Sequence, residues 1–472
     1  MRRVAGVLAN LMVAAVLGAQ APVVITNASI VDVETGRVRE GQSIRVEGTR
    51  IREIAPAGRM RVPPGARVVD GTGRFVIPGL WDMHVHATGF GIDRLFQPVL
   101  VANGVTGMRE MWGQLVAADS MRAAIARGDA VGPRAVVAGH ILDGAPAIWP
   151  GSLGVKGADA ARRAVDSLAK AGAAFIKVYS RLSEDEFRAA GEQAKKNGLH
   201  FAGHVPSQVT VDEAVSQGMR TIEHLQQFTT ACSSRESELR QQYRDAVASA
   251  KGWDSAAVVG RAQLNVQVES FDPARCAALA QRIAKSETWL VPTFTVLRSV
   301  AYLDDSTLKQ DPRLTYIPKF FSASWDPRQD FRFRAVTAQG WADRKRIHAR
   351  QLEIGRVMFR AGVKFLAGTD LSNPWIFPGF SLHDELANFV AIGMTPLQAL
   401  QTATLNPARF YAAVDSMGTV GVNKVADLVV LDANPLADIR NVSRIHAVIA
   451  NGRLIDAAQR AALLKDAEAR AR

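Results

Sequence analysis

Between residues 76 and 412 short apolar runs alternate with helical stretches, and β-type segments stand on either side of that alternation. A strand-then-helix rhythm commits a chain to parallel strands joined by helical crossovers. The candidate strands are Val76–His86, Gly104–Glu110, Arg134–His140, Ala173–Tyr179, His200–His204, Arg220–His224, Thr288–Phe294 and Val363–Asp370. Helical stretches at Ala158–Ala171, Ser183–Asn197, Pro273–Lys285 and Ala335–Ala361 fall between them, and Asn197-Gly198 and Ala361-Gly362 read as helix ends. Eight such units predict an α/β fold of the (β/α)8 TIM-barrel kind, with chemistry at the carboxyl ends of the strands.

The flanks read differently. Residues 22–75 hold short segments such as Val23-Val24-Ile25-Thr26 and Ser43-Ile44-Arg45-Val46, separated by glycine and polar turns, and the texture returns in 413–456. Chain termini often lie close together, so both pieces are expected to form one small β-sandwich domain around the long insertion. Residues 457–472 read as a charged terminal helix. Two breaks in the barrel rhythm, Phe228–Asp272 and Leu297–Arg334, follow the sixth and seventh strands and would overhang the active face as lids or pocket walls.

Residues 1–21 have the form of a signal peptide. Arg2 and Arg3 precede an apolar run from Val4 to Leu17, and Ala19-Gln20-Ala21 offers small residues for cleavage after Ala19 or Ala21. The run is short for a bilayer span of about 20 residues. The mature chain is therefore expected to be periplasmic or secreted, without stable membrane insertion. The net charge of +12 is scattered over the chain, with no basic stripe of the kind nucleic acid requires. The two cysteines, Cys232 and Cys276, are too few for a structural zinc cluster, and either a bridge or two thiols fits their spacing.

Polar residues gather at the predicted strand ends. The first strand closes on His84-Val85-His86, whose two imidazoles share a face because side chains alternate along a strand. Lys177 sits between Ile176 and Val178 on the fourth, and His204, His224 and Asp370 close the fifth, sixth and eighth. Each has an ordinary explanation alone: a structural histidine, a turn-forming aspartate, a lysine reaching water. Six such residues at one end of one barrel point to a shared site.

This pattern resembles the amidohydrolase superfamily of metal-dependent hydrolases over nearly the whole mature chain. Ile176-Lys177-Val178, Gly203-His204, Glu223-His224 and Gly368-Thr369-Asp370 resemble its imidazolonepropionase-like branch, which includes Xaa-Pro dipeptidases, carboxypeptidase-like enzymes and ochratoxin-hydrolysing amidases. The resemblance implies two divalent ions, with His84, His86 and Asp370 on one, His204 and His224 on the other, and an N6-carboxylated Lys177 between them. Zinc suits the histidine-rich set. A hydroxide shared by the ions would attack the carbonyl, with Asp370 moving the proton to the leaving nitrogen. Burial beside cations would lower the pKa of Lys177, leaving a neutral amine able to take up carbon dioxide.

The pocket is read from neighbouring positions. Tyr179 shares the strand face of Lys177 and could donate to an oxyanion or simply pack. His140, at the end of the third strand, is a candidate substrate contact, and Arg109 could hold a substrate carboxylate or make an internal salt bridge. Trp375-Ile376-Phe377 could form an apolar wall or pack in the core. The expected activity is cleavage of the amide bond in dipeptides or N-acyl amino acids, by a small-molecule hydrolase of a group whose members often form homo-oligomers. Rivals are a mononuclear cyclic-amide hydrolase, a lactonase or esterase on the same site, and a binding protein on an inactive barrel.

Overall fold

A computed structural model describes residues 21–89 and 91–472, so the expected signal peptide lies almost wholly outside the described residues. The strands are, in chain order, β1 (Val23–Val31), β2 (Val38–Glu47), β3 (Arg50–Pro56), β4 (Arg67–Asp70), β5 (Phe75–Pro78), β6 (Leu80–Val85), β7 (Val105–Glu110), β8 (Arg134–Val137) and β9 (Leu142–Gly144). They continue with β10 (Leu153–Val155), β11 (Ile176–Val178), β12 (Phe201–Gly203), β13 (Thr221–Glu223), β14 (Trp289–Val291), β15 (Lys364–Phe365), β16 (Leu428–Leu431), β17 (Ile445–Ala450) and β18 (Arg453–Ile455).

Both chain ends enter one eight-stranded sheet, ordered β18-β17-β16-β5-β1-β2-β3 with β4 beside β1. Its apolar residues, among them Ile25, Ile30, Ile44, Val430 and Ile449, form a core of their own. The predicted first strand of the barrel is in fact two. Phe75–Pro78 pairs with β16 in this sheet, while Leu80–Val85 pairs in parallel with β7. The join is Gly79, where a Cβ would come within 2.0 Å of Thr106 Oγ1, so the chain can pass from one sheet to the other only without a side chain there.

The parallel strands fall in two groups, β6-β7-β8 and β10-β9-β11-β12-β13-β14-β15, in a TIM-barrel-like α/β arrangement. Backbone bonds pass between the groups: Met83 N donates to Ala367 O at 2.8 Å and Ala174 N to Val137 O at 2.9 Å. The strands are shorter than the sequence suggests, and the predicted third strand is interrupted between β8 and β9. The intervening helices follow their local signals. Ser183 and Glu186 close a capping box at the start of Glu184–Lys196. Asp272 caps Pro273–Ala284, which carries proline at its first position, and Asp456 caps the terminal helix Ala457–Ala471. No helix among the described residues is long and apolar enough to cross a membrane.

The first break in the barrel rhythm holds the helices Phe228–Ala231, Glu236–Ala248 and Trp253–Glu269. A disulfide between Cys232 and Cys276, 44 residues apart, ties its two ends together. In the chain-entropy picture, closing a loop of that length is worth about 4 kcal/mol.

Three histidines outside the site, His348 and His383 buried and His200 half-buried, bear on acid stability. Burial, first, and nearby positive groups hold His200 to about 3 and His348 to about 4. Burial holds His383 to about 4, although its Nε2–H donates to Asn103 O at 2.9 Å. The unfolded chain takes up these protons near 6.5 and the fold refuses them until about 4. Their stabilising effect is thus complete above the unfolded value and is lost as pH falls toward the folded one. His383→Gln, which keeps a donor for Asn103, should lose about 3 kcal/mol less stability between pH 7 and pH 4 than the unaltered chain. Urea unfolding at both pH values checks this, and equal losses would sink it.

Candidate metal centre and active site

Of the nine residues singled out from sequence, seven converge: the six candidate ligands and Tyr179. Asp370 Oδ1 lies 3.3 Å from His84 Nε2 and 3.1 Å from His86 Nε2, and its Oδ2 lies 3.8 Å from His224 Nε2. The His204 ring centres 4.9 Å from that of His224. Lys177 is 1% exposed and faces inward from β11. Opposite it on β12 stand Ala202 and then Gly203, where a Cβ would sit 2.9 Å from Lys177 Cδ. Glycine before His204 is therefore what makes room for the lysine stem. Gly368 does the same for His84, whose Cβ would be 2.8 Å away.

Three of the four imidazoles are hydrogen-bonded from behind at Nδ1, which leaves Nε2 turned to the centre. His84 Nδ1–H donates to Glu223 Oε2 at 2.7 Å. His204 Nδ1 is 2.8 Å from Ser180 Oγ, and His224 Nδ1 is 2.7 Å from Thr293 Oγ1. Thr293 spends its own proton on Pro292 O, so His224 must be the donor and its Nε2 carries the lone pair. His86 Nδ1 is 3.6 Å from Glu110 Oε1, and Glu110 is fixed in turn by the backbone N–H groups of Ala87 and Trp112. Such rear partners orient metal-binding histidines.

The charge states follow. Burial and the neighbouring Lys177 hold His204 well below its usual range, and burial holds His224 to about 3, so both rings are neutral. Burial opposes ionisation of Asp370, but His84 foremost, and the hydrogen bonds of His84 and His86, hold its carboxyl well below the usual carboxylate range. Burial lowers Lys177 to about 8 against the pull of Glu223 and Asp370. For His86 burial is outweighed by Asp370 and Glu110, which raise it to about 9.

The donor set fits a divalent cation. One ligand atom from each of His84, His224 and Asp370 lies within 4.8 Å of the others. His84 Nε2 and Asp370 Oδ1 are buried without a hydrogen-bond partner, a costly state that a cation between them would relieve. His86, Lys177 and His204 extend the set to either side.

Above the centre opens a cavity of about 720 Å³. Its aromatic walls include Trp112, Trp149, Tyr179, Trp325, Phe331 and Phe333, the last three from the second break in the barrel rhythm. Tyr179 stacks on His204 with ring centres 4.0 Å apart and accepts from Trp149 Nε1 at 2.8 Å. Burial keeps its phenol protonated.

Two candidate substrate contacts need correction, and the apolar run after Asp370 takes its packing alternative. Arg109 does not reach the cavity: it is 0% exposed and donates to Met83 O, Thr221 Oγ1 and Glu223 Oε1 at 2.7, 3.0 and 2.9 Å. It makes the internal salt bridge. His140 falls in the gap between β8 and β9, where it is exposed and its Nδ1 bonds Gly151 O at 2.8 Å instead of facing substrate. Trp375, Ile376 and Phe377 do not line the cavity either, and Trp375 packs behind Trp325 at 5.4 Å. Sequence reasoning gave no role to Glu223, Glu110 or Asp82. Asp82 accepts from Thr369 N at 3.0 Å and Thr369 Oγ1 at 2.6 Å, which locks the turn carrying Asp370. The signal for Glu223 was present: an acid on the inward face of an apolar strand must find a buried partner.

The sequence profile of the amidohydrolase family matches residues 75–455. An adenine deaminase of Mesorhizobium japonicum is 33% identical over 89 residues, which are 19% of this chain and only 15% of that protein. Among solved structures, a bottromycin amidohydrolase superposes with a TM-score of 0.71 at 22% identity, covering 95% of this chain and 90% of its own. A protein from Bifidobacterium longum described as a prolidase gives 0.66 at 23%, covering 95% and 99%. The ochratoxinase of A. niger gives 0.61 at 17%, covering 92% and 96%. At such identities these structures speak to the fold.

Glu223→Ala should cost about 3–5 kcal/mol, because it strands the Arg109 guanidinium without a counter-charge in the interior. Pairing it with Arg109→Met should cost less than the two single changes added together. Chemical denaturation of the four proteins tests this, and strict additivity would contradict it.

Proposed function

Because the chain belongs to the amidohydrolase family, we propose that it hydrolyses the amide bond of dipeptides or N-acyl amino acids at this site. The carrying observation is the meeting of His84, His86, Lys177, His204, His224 and Asp370 beneath one aromatic-walled cavity. Prolidase and ochratoxinase, which share the fold, act on substrates of related chemistry by their names. The backbone links between the two groups of parallel strands support a closed (β/α)8 barrel at 76–412. The shared terminal sheet supports the small β-sandwich of 22–75 and 413–456, followed by a helix in 457–472.

His84, His86 and Asp370 would hold one divalent ion and His204 and His224 a second, with Lys177, carboxylated, between them. When bound, the ions supply Lewis acidity at the scissile carbonyl and a water-derived nucleophile near neutral pH, a role that zinc suits. A Lys177 lowered to about 8 has an appreciable neutral fraction, as carbamate formation requires. Asp370, ionised and 8% exposed, takes the proton released by attacking water and passes it to the leaving nitrogen. The protonated phenol of Tyr179, already accepting from Trp149, donates its O–H to the developing oxyanion. The Trp149–Phe331 contact and Trp325 keep water from the far side of the cavity and favour an apolar or aromatic acyl group.

The compact trio of His84, His224 and Asp370 would by itself suit a single ion, which is the mononuclear reading. Metal counting separates the two: about two ions per chain is expected, and one would favour the cyclic-amide rival. Export to the periplasm or beyond is supported by the Cys232–Cys276 bridge, which persists in an oxidising compartment.

Asp370→Asn should reduce amide turnover at least ~10³-fold at full substrate. Lys177→Ala should lose metal and activity, with partial recovery in short carboxylic acids. A panel of N-acyl amino acids, dipeptides and matched esters, with zinc and after chelation, reads all of this. Amide turnover that survives complete removal of metal would remove the ions from the mechanism, and hydrolysis of the esters alone would remove the amidase reading.

A further inference from the structure

Two guanidinium groups line the cavity above the site, and their surroundings differ. Arg332 is spent: its Nε and Nη2 lie 3.0 and 2.7 Å from the Asp330 carboxylate, and its Nη1 donates to Asn373 Oδ1 at 3.1 Å. Arg344, on the helix Ala338–Arg360, has no acid beside it among the described residues. Its Nε is buried without a hydrogen-bond partner. Its guanidinium lies over the rings of Phe333 and Trp341, 5.1 and 5.8 Å from their centres. The charged groups that act on it are Arg261 and Arg332, both positive.

Arg344 also lines an adjoining cavity of about 400 Å³ under the helices of the first break in the barrel rhythm. The two cavities share His224, Gln226, Leu297 and Val300 as well as Arg344. Their characters are unlike. The one over the site is walled by aromatic rings, and the adjoining one by Gln227, Gln263, Gln267 and Gln351. Arg240 faces the second too, but its Nε is held by Glu236 at 2.8 Å and its Nη1 by Val209 O at 2.9 Å. The junction of an apolar and a polar chamber therefore carries one uncompensated cation.

We propose that Arg344 binds a carboxylate on the amine half of the substrate, so that this protein selects acyl amino acids or peptides with a free carboxyl terminus. A half-buried guanidinium without a counter-charge is expensive, and a carboxylate offered to its fork of donors both neutralises it and satisfies Nε. The aromatic chamber takes the apolar acyl half, and the glutamine-lined chamber takes the polar half beyond the scissile nitrogen. This rests on the amide-hydrolase reading and adds to it which amides are chosen.

The test compares N-benzoylphenylalanine with its carboxamide, and N-(benzenesulfonyl)phenylalanine with its carboxamide, using the metal-loaded protein. The sulfonamides resist hydrolysis and report binding alone, by calorimetry. The free acids should be turned over and bound at least ~10-fold better than the carboxamides. Arg344→Met should abolish that preference through KM, bringing the ratio of kcat/KM for acid over carboxamide to near one, and Arg344→Lys should keep part of it. Equal binding of the two sulfonamides, or a preference that persists in Arg344→Met, would overturn the assignment. A binding preference that vanishes in Arg344→Met, without cleavage of any amide, would uphold it and overturn the hydrolase reading instead.

Discussion

The site depends on a buried chain of charge that runs from Arg109 through Glu223 to His84. The three groups come from β7, β13 and β6, and none is more than 1% exposed. Taking such groups out of water costs several kcal/mol each, and only short bonds in the interior offset it. Glu223 is the pivot. Burial works against its charge, yet Arg109 and His84 hold the carboxyl below the usual range. With Glu223 ionised, His84 must keep its proton on Nδ1, and the lone pair of Nε2 is aimed at Asp370. A group that touches neither substrate nor the centre thus sets the tautomer of the first ligand. Thr293 repeats the device for His224 with a weaker partner, and Ser180 holds the ring of His204 from behind.

That rigidity has a counterpart in backbone strain. His224, Thr293 and Asp370 all have left-handed backbones, with φ of 58°, 50° and 61°. Residues with a Cβ hold such angles at a cost of about 1–3 kcal/mol each, and only where surrounding bonds over-determine them. Asp370 is pinned by its N–H to His84 O at 2.7 Å and through the Thr369–Asp82 pair. His224 is pinned by its N–H to Val291 O at 3.0 Å and by Thr293. Three strands stop short of the site, at Gly203, Glu223 and Phe365, so His204, His224 and Asp370 ride past their ends, while His84 and Lys177 stand within β6 and β11. Straight strands would carry these side chains up and apart, whereas the left-handed turns fold them back over the mouth.

This explains what could be read from the sequence and what could not. The strand-and-helix rhythm and the six donors were legible because both are local: alternation fixes which side chains share a face, and histidine or carboxylate at a strand end is a sparse signal. Lengths were overestimated because the donors were counted into strands that had already ended. Val76–His86 looked continuous because both halves are apolar, and only the close approach of Thr106 to Gly79 marks the change of sheet. Arg109 was ambiguous for a deeper reason. Whether a strand arginine turns to ligand or to core depends on an acid more than a hundred residues away, at Glu223, and no pattern along the chain reports that distance. His140 failed likewise, and the Trp375–Phe377 run stayed open between wall and core, since a break in β-pairing and a Trp325 arriving from another loop are tertiary facts.

The division of labour between strands and insertions then follows. The centre is assembled from short strands whose geometry is over-determined by buried bonds, and it leaves little freedom for variation. The pocket walls come from the two long excursions after β13 and β14, one tied at its ends by the Cys232–Cys276 bridge and the other packed through Trp325 onto Trp375. These segments carry Trp325, Phe331 and Phe333, most of the glutamine cluster and, through the helix that follows, Arg344, while Trp112, Trp149 and Tyr179 complete the aromatic wall from other loops and strands. Changes there alter what can be bound without disturbing Glu223 or the imidazoles. Substrate choice in this chain is therefore separable in physical terms from the chemistry, because the two rest on different elements and different interactions.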